Sequence, residues 1–375
     1  VVVDLHGYVV TGGDATGDVI QNFETAEGSA QDDTLDGSNS GNVLSGLGGA
    51  DLVRGAGGAD TLRGDAGSDT LIGGSGGDTL EGGSGIDEAS YAGSADAVNV
   101  DLLNNIAQFG DAAGDSLTGI EALRGSSEND PLAGDDGANT LAGAGGNDTL
   151  IGRGGPDALI GGAGADTADF STSGGAINVN LATGIGAGGD AQLDTYNSIE
   201  NVIGSNAADT IIGGTENNVL QGGTGSDTLS GGTGSDTLDG GANFDYVSYF
   251  DSTAGVNVNL GTNTFQNGSA AGDSVVSIEG LIGSGLNDTL EGDGAANVIF
   301  GGQGADQITG GGDNDTLLGE LGNDTLVGGA GSDLFDGGLG VDIADYSDAG
   351  AGVAVSLLTS SGTAGEAAGD SVVSV

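Results

Sequence analysis

The chain lacks cysteine, methionine, tryptophan and lysine, and it holds only two prolines and one histidine. Without cysteine there is no disulfide scaffold, although this alone fixes no compartment. Arg54, Arg63, Arg124 and Arg153 are its entire basic complement against 56 acids, for a formal charge of -52. So few cations cannot neutralise a phosphate backbone, which excludes nucleic acid as a partner. No apolar run approaches the roughly 18 residues of a membrane span. The opening "VVVDLHGYVV" has neither an initiator methionine nor a basic stretch, so no signal peptide is read from it and an excerpt of a longer product is expected. No Ser-His-Asp set, Cys-His pair or phosphate-binding loop is present, and His6 is expected at the surface.

Glycine, by contrast, fills 83 of 375 positions. Glycine this frequent with acid this dense is the composition of a disordered chain. The apolar residues nevertheless fall at fixed spacing, and aspartate greatly outweighs glutamate, which a solvating tail does not require. Self-repulsion must be relieved if such a chain is to be compact, and bound cation is the simplest relief.

Internal repeats decide the fold. In the frame G-G-x-G-x-D-x-U-x, with U a large aliphatic residue, the aspartate position falls in steps of nine at 33 to 87, 130 to 166, 209 to 245 and 288 to 342. The blocks are separated by inserts of 43 residues, counted from Asp87 to Asp130, Asp166 to Asp209 and Asp245 to Asp288. The inserts also repeat: "VVVDL" at 1, "VNVDL" at 98, "INVNL" at 177, "VNVNL" at 256 and "VAVSL" at 353 are one element. Its separations, 97, 79, 79 and 97, differ by 18, which is two nonads. A module that grows only by whole turns of a solenoid, one nonad to each half-turn, has this property; a disordered tail does not. The modules read as 1–97, 98–176, 177–255, 256–352 and the start of another at 353–375, all in one continuous solenoid.

Each nonad parses as a short strand and a turn. In "DTLEGGSGI" Leu80 faces inward while Thr79 and Glu81 flank it outward, the period of a strand, and the glycines reverse the chain. Two nonads give strands on opposite walls with a file of aliphatic side chains between them, stacked about 4.8 Å apart. One aliphatic residue in nine buries too little apolar surface to offset an ordering cost of roughly 1–2 kcal/mol per residue. The turns must supply the rest. Aspartates 18 residues apart stack on one side, and a carboxylate from each of two coils balances a Ca²⁺ whose shell is completed by turn carbonyls. The pairs are Asp51/Asp69, Asp60/Asp78, Asp69/Asp87, Asp148/Asp166, Asp227/Asp245, Asp306/Asp324, Asp315/Asp333 and Asp324/Asp342, and Asp157 and Asp236 share the register. Magnesium demands a tighter octahedron, and zinc wants His or Cys.

These nonads, among them "GGAGADTAD" at 161–169, "GGTGSDTLS" at 223–231 and "GGAGSDLFD" at 328–336, resemble the "repeats in toxin", or RTX, motif GGxGxDxUx over about half of the chain. The resemblance implies an all-β fold, a right-handed parallel β-roll or β-helix solenoid with calcium held between successive turns. It also implies a secreted bacterial protein that leaves by a type I system and folds outside the cell. Departures from the motif are regular. The second nonad of each block carries Asn42, Asn139, Asn218 or Asn297 at the aspartate position after a poor turn, so this coil is expected to bind calcium weakly or not at all. "GRGGPD" sets Arg153 where a glycine belongs, in the turn leading to Asp157.

Each block ends with an aromatic four residues past its last aspartate: Tyr91, Phe170, Tyr249 and Tyr346. We read it as a ring that plugs the core where narrow coils give way to wider ones, with a carbohydrate-stacking platform as the alternative. The inserts read as about two irregular coils. Within them Asp18, Asp115, Asp194, Asp273 and Asp370 share a register, as do Glu24, Glu121, Glu200 and Glu279. The first reading is solvated turn and edge acids. The second is a further class of calcium site near "GDAAGDS", with Asp115, Asp194 and Asp273 as its ligands. Catalytic carboxylates are a remote third, since a glycosidase needs two acids in unlike environments and these recur in every module. Arg54 and Arg63 are expected to pair with neighbouring acids.

The function expected is that of a calcium-dependent extracellular structural protein, a segment of a surface layer, matrix fibre or adhesin stalk without catalysis. Its partners would be Ca²⁺, further copies of itself and cell-surface polysaccharide. The alternative is the calcium-dependent folding and secretion module of an RTX toxin, hydrolase or epimerase whose catalytic part lies elsewhere. Ice binding is disfavoured, because the outward Thr of "DTL" is not followed by a second Thr two places on.

Overall fold

A computed structural model describes residues 1–7, 9–13, 16 and 20–374. The chain divides into two compact units, one of 1–172 with 184–199, the other of 173–183 with 200–375. Among the described residues there are strands and 3-10 turns but no α-helix.

The strands of the first unit form a long parallel ladder. Thr34–Asp36 pairs with Leu52–Gly57, then Thr70–Ser75, Glu88–Ser90, Ala122–Arg124, Thr140–Gly145, Ala158–Ala163 and Thr195–Asn197 follow in order. Its inward file, from Leu35 through Val53, Leu71, Ala89, Leu123 and Leu141 to Leu159, is buried throughout. The nonads between these supply a second ladder: Thr25–Ser29, Val43–Leu47, Thr61–Ala66 and Thr79–Ser84, with Leu44, Leu62 and Leu80 inward. Successive strands on a wall lie 18 residues apart because each nonad crosses to the other wall. The outward positions bear Arg54, paired with Asp36 at 2.8 Å, and Arg63, paired with Glu81 at 2.6 Å, each to a neighbouring coil as expected.

The inserts differ from plain coils. Asn99–Asp101 runs into an antiparallel hairpin with Ile106–Gln108, followed by a 3-10 turn at Gly110–Ala112. Ser116–Thr118 then closes the second ladder on Thr79–Ser84, while Ala122–Arg124 continues the first. The hairpin strand Asn99–Asp101 starts a new wall, continued by Pro131–Ala133, Thr149–Ile151 and Thr167–Asp169. The insert therefore ends one wall and begins another. The hairpin follows from turn chemistry: Asp101 accepts the Asn104 amide at 3.0 Å, and Asn105 takes a left-handed backbone, φ 47°.

The second unit repeats this scheme. One ladder runs from Asn178–Asn180 through Thr210–Ile212 and Thr228–Ser230 to Leu334–Asp336 and Ser371–Val373. Asn201–Ile203, Val219–Thr224, Thr237–Ala242 and Ser274–Val276 form a second. The hairpin Asn257–Asn259 with Thr264–Gln266 starts a third, again with an asparagine, Asn263, at positive φ.

The aromatics at the block ends are core plugs: Tyr91, Phe170 and Tyr249 are each 2% exposed, which leaves no ring face for a sugar. Tyr346 is half-buried.

Candidate metal sites in the turns

The stacked aspartates are joined by a repeated hydrogen bond. Each accepts, on Oδ1, the backbone N–H of its counterpart one coil earlier. Asp69 accepts from Asp51 at 2.7 Å, Asp78 from Asp60 at 2.8 Å, Asp166 from Asp148 at 2.8 Å and Asp342 from Asp324 at 3.0 Å. The pairs Asp69/Asp87, Asp227/Asp245, Asp306/Asp324 and Asp315/Asp333 are built alike. All eight pairs expected from the 18-residue spacing are thus brought together.

The other carboxylate oxygen divides the register into two classes. In the first nonad of each block it is satisfied: Asp130 Oδ2 accepts the Ser126 amide at 2.6 Å and its hydroxyl at 3.0 Å. The amides of Ser205, Ser284 and Ser29 likewise donate to Oδ2 of Asp209, Asp288 and Asp33, with the Ser284 hydroxyl on Oδ2 and the Ser205 and Ser29 hydroxyls on Oδ1. In the second nonad the asparagine is also self-sufficient. Asn139 Oδ1 accepts the Asp135 amide at 2.7 Å, and its Nδ2 donates to the Glu121 carbonyl at 3.5 Å; Asn42, Asn218 and Asn297 have equivalent partners.

In most of the remaining nonads Oδ2 is buried with no hydrogen-bond partner. This holds for Asp51, Asp60, Asp69, Asp78, Asp87, Asp148, Asp157, Asp227, Asp236, Asp245, Asp306, Asp315, Asp324 and Asp333. Asp166 is fully buried in the same register, and Asp342 is half-buried. Buried polar atoms are nearly always satisfied, and a buried, unpaired carboxylate is costly.

The switch between the classes is the backbone four residues before the aspartate. At open sites it is left-handed, as at Leu47 (φ 72°), Ala56 (78°), Asp65 (70°), Ala144 (82°) and Glu320 (69°). This conformation turns the amide away from the carboxylate. At the closed sites Ser29, Ser126, Ser205 and Ser284 have no such φ, and the amide donates to the side chain. A left-handed non-glycine residue costs roughly 1–2 kcal/mol, strain of the kind that collects at binding sites. Arg153 is one of these residues, at φ 67°. It preserves the turn to Asp157 and forks onto Asp101, both contacts at 2.8 Å, and it holds the Asp101 carboxyl down at about 2 against its burial.

The glycines of the motif line the same cavity. A Cβ on Gly73 would stand 2.3 Å from Asp78 Oδ2, and one on Gly76, at φ 152°, would stand 1.6 Å from the Gly58 carbonyl oxygen of the coil below. Likewise a Cβ on Gly55 would meet both Asp60 Oδ2, at 2.2 Å, and the Gly73 carbonyl oxygen, at 2.7 Å. Carboxylate and carbonyl oxygens of successive coils thus converge where the side chain is missing. Burial raises Asp60, Asp148 and Asp227 to about 6 and Asp157, Asp306 and Asp315 to about 7, with like charges on neighbouring coils adding to the effect. Among the described residues no three His, Cys, Asp or Glu side chains converge on one point, so the shell needs carbonyls. Paired carboxylates with carbonyl oxygens fit a large hard divalent cation.

Four insert aspartates correct the expectation of solvated edges, while Glu24 is exposed as expected. Asp115, Asp194, Asp273 and Asp370 are buried because they extend the ladder past each block, accepting the amides of Asp78, Asp157, Asp236 and Asp333. Glu121 and Glu279 take the amides of Asp87 and Asp245 in the same way, at 3.0 Å. Asp18 lies outside the described residues, and His6 is exposed. The sequence reading missed the serines that close the first nonad, although "GSSEND" and "GSNAAD" carry a serine at the same offset.

A family model described as the RTX calcium-binding nonapeptide repeat matches residues 23–89, 115–168, 203–247 and 282–344 in overlapping copies, more than half of the chain. No curated protein matches it.

Proposed function

The chain belongs to the RTX calcium-binding nonapeptide repeat family, and from this premise we propose that it is an extracellular structural protein whose coils fold on calcium and which performs no catalysis. The observation that carries this reading is the row of buried carboxylate oxygens without partners, set against turn carbonyls of adjoining coils. The ligands are Asp51, Asp60, Asp69, Asp78 and Asp87; Asp148, Asp157 and Asp166; Asp227 and Asp245; and Asp306, Asp315, Asp324, Asp333 and Asp342, whereas Asp236, set between the closed Asn218 and Asp273, meets no second open carboxylate on either neighbouring coil. The closed nonads at Asp33, Asn42, Asp130, Asn139, Asp209, Asn218, Asp288 and Asn297 take no ion. Bound calcium supplies the positive charge that lets a chain of net charge -52 become compact. Little calcium in the cytoplasm and more outside would leave the chain unfolded for export and folded afterwards.

A structural role is supported by the even spread of these sites over every block, which marks no single cleft. No helix among the described residues is long and apolar enough to cross a membrane. Calcium bridging of acidic walls between copies belongs to the same reading, and light scattering that stays monomeric at high calcium counts against that part. The central test is circular dichroism of the chain. Chelation is expected to abolish the strand signal and calcium to restore it, and a spectrum indifferent to chelator sinks the proposal.

A further inference from the structure

The module junctions differ in one pair of side chains. At three of them the block-end ring is a tyrosine whose hydroxyl donates to the insert aspartate. Tyr91 donates to Asp115 Oδ2 at 3.1 Å, Tyr249 to Asp273 at 3.1 Å and Tyr346 to Asp370 at 2.8 Å. Each phenol fills the carboxylate oxygen that the ladder leaves over. Burial and the adjacent carboxylate both hold the Tyr91 and Tyr249 protons on the ring, so these groups stay donors and do not become anionic ligands.

At the remaining junction Phe170 takes that place and brings no hydroxyl. Asp194 still accepts the Asp157 amide on Oδ1 at 2.8 Å, but its Oδ2, in a residue with no solvent exposure, has no partner. The hydroxyl of Tyr196, 8% exposed and packed edge-on against Phe170 with centroids 6.2 Å apart, has none either. One coil below, Asp157 Oδ2 is open as well. Two open carboxylate oxygens on successive coils is the arrangement found inside the blocks. At Asp78/Asp115, Asp236/Asp273 and Asp333/Asp370 the second oxygen is closed by a phenol.

We propose that Asp194 and Asp157 together hold a calcium ion across this junction, at a site the tyrosine-bearing junctions lack, and that the choice of phenylalanine or tyrosine at the block end decides whether a junction binds. This rests on the reading that open nonads bind calcium.

The test counts calcium ions on the full chain by native mass spectrometry during titration with calcium chloride. Asp194→Asn keeps the acceptor for the Asp157 amide and is expected to bind one ion fewer than the unaltered chain. Asp115→Asn, whose carboxylate is already closed, is expected to lose none. Tyr249→Phe opens Asp273 and is expected to gain one, an outcome that misfolding cannot mimic. An unchanged count in Asp194→Asn or Tyr249→Phe, or a lost ion in Asp115→Asn, overturns the inference while leaving the nonad reading intact. An unaltered chain that takes up no calcium fails at the nonads instead.

Discussion

Asp130 and Asp148 occupy the same position on neighbouring coils, and the substitution to asparagine should depend on calcium at one of them and not at the other. Asp148 is 1% exposed, accepts the Asp130 amide at 2.8 Å through Oδ1 and has no partner for Oδ2. Burial raises it from 3.8 to about 6. A rise of this size corresponds to about 3 kcal/mol, which nearby solvent behind so thin a roll reduces to about 1–2 kcal/mol. Asp148→Asn removes that penalty, and Asn139 shows that an amide at this position finds the carbonyl 18 residues earlier. Without calcium at pH 7.5 the variant should therefore be more stable than the parent by about 1–2 kcal/mol. With calcium at a hundredfold excess over its dissociation constant, one lost site costs about 2.7 kcal/mol. The balance reverses, and the variant becomes the less stable by about 1 kcal/mol. Asp130→Asn instead breaks the Ser126 contacts at 2.6 and 3.0 Å. It should cost about 1–3 kcal/mol whether or not calcium is present. Circular dichroism resolves the two cases, with urea titration in calcium and refolding by trimethylamine oxide in chelator, an osmolyte that strengthens burial. If Asp148→Asn shifts stability in the same direction under both conditions, the assignment of Oδ2 as a cation ligand is wrong.

Acid should partly replace calcium. Asp60, Asp148, Asp157, Asp227, Asp306 and Asp315 rise from 3.8 to about 6 or 7 in the folded chain, so the fold binds more protons than the unfolded state between about pH 4 and 7. Stability of the chelated chain then falls as pH rises through that window, and strand signal in chelator is expected near pH 5 but not at pH 7.5; a signal independent of pH contradicts this. Gly73→Ala places a Cβ 2.3 Å from Asp78 Oδ2. It should lower stability in calcium by about 1–3 kcal/mol and remove an ion from the count, whereas Gly93→Ala, with nothing within 4 Å of the added atom, should do neither; equal melting temperatures for the two disprove the cavity.

Much of the site was legible because spacing is a one-dimensional quantity. A nine-residue period with one aliphatic position makes two walls, and 18 residues per coil sets Asp51 above Asp33 and Asp69 above Asp51 without any knowledge of the turn. The insert hairpins were harder. "DLLNNI" carries an Asx turn and an asparagine fit for positive φ, yet the reading took the element for a coil, because alternation says where a strand lies and nothing about which neighbour it pairs with.

The amino-acid sequence by itself determined the all-β class, the stacked aspartate pairs and the scarcity of cations to offset their charge. Only the tertiary structure decided which oxygen of each aspartate is already spoken for. That depends on a single backbone dihedral four residues earlier: a serine there marks the closed first nonads, but Leu47, Ala56 and Arg153 adopt the left-handed form against their own preference, and their residue type does not reveal it. It also decided that Tyr91 closes Asp115 while Phe170 leaves Asp194 open. These partners stand 24 residues apart, and they meet only because the coils carry the ring and the carboxylate into the same core.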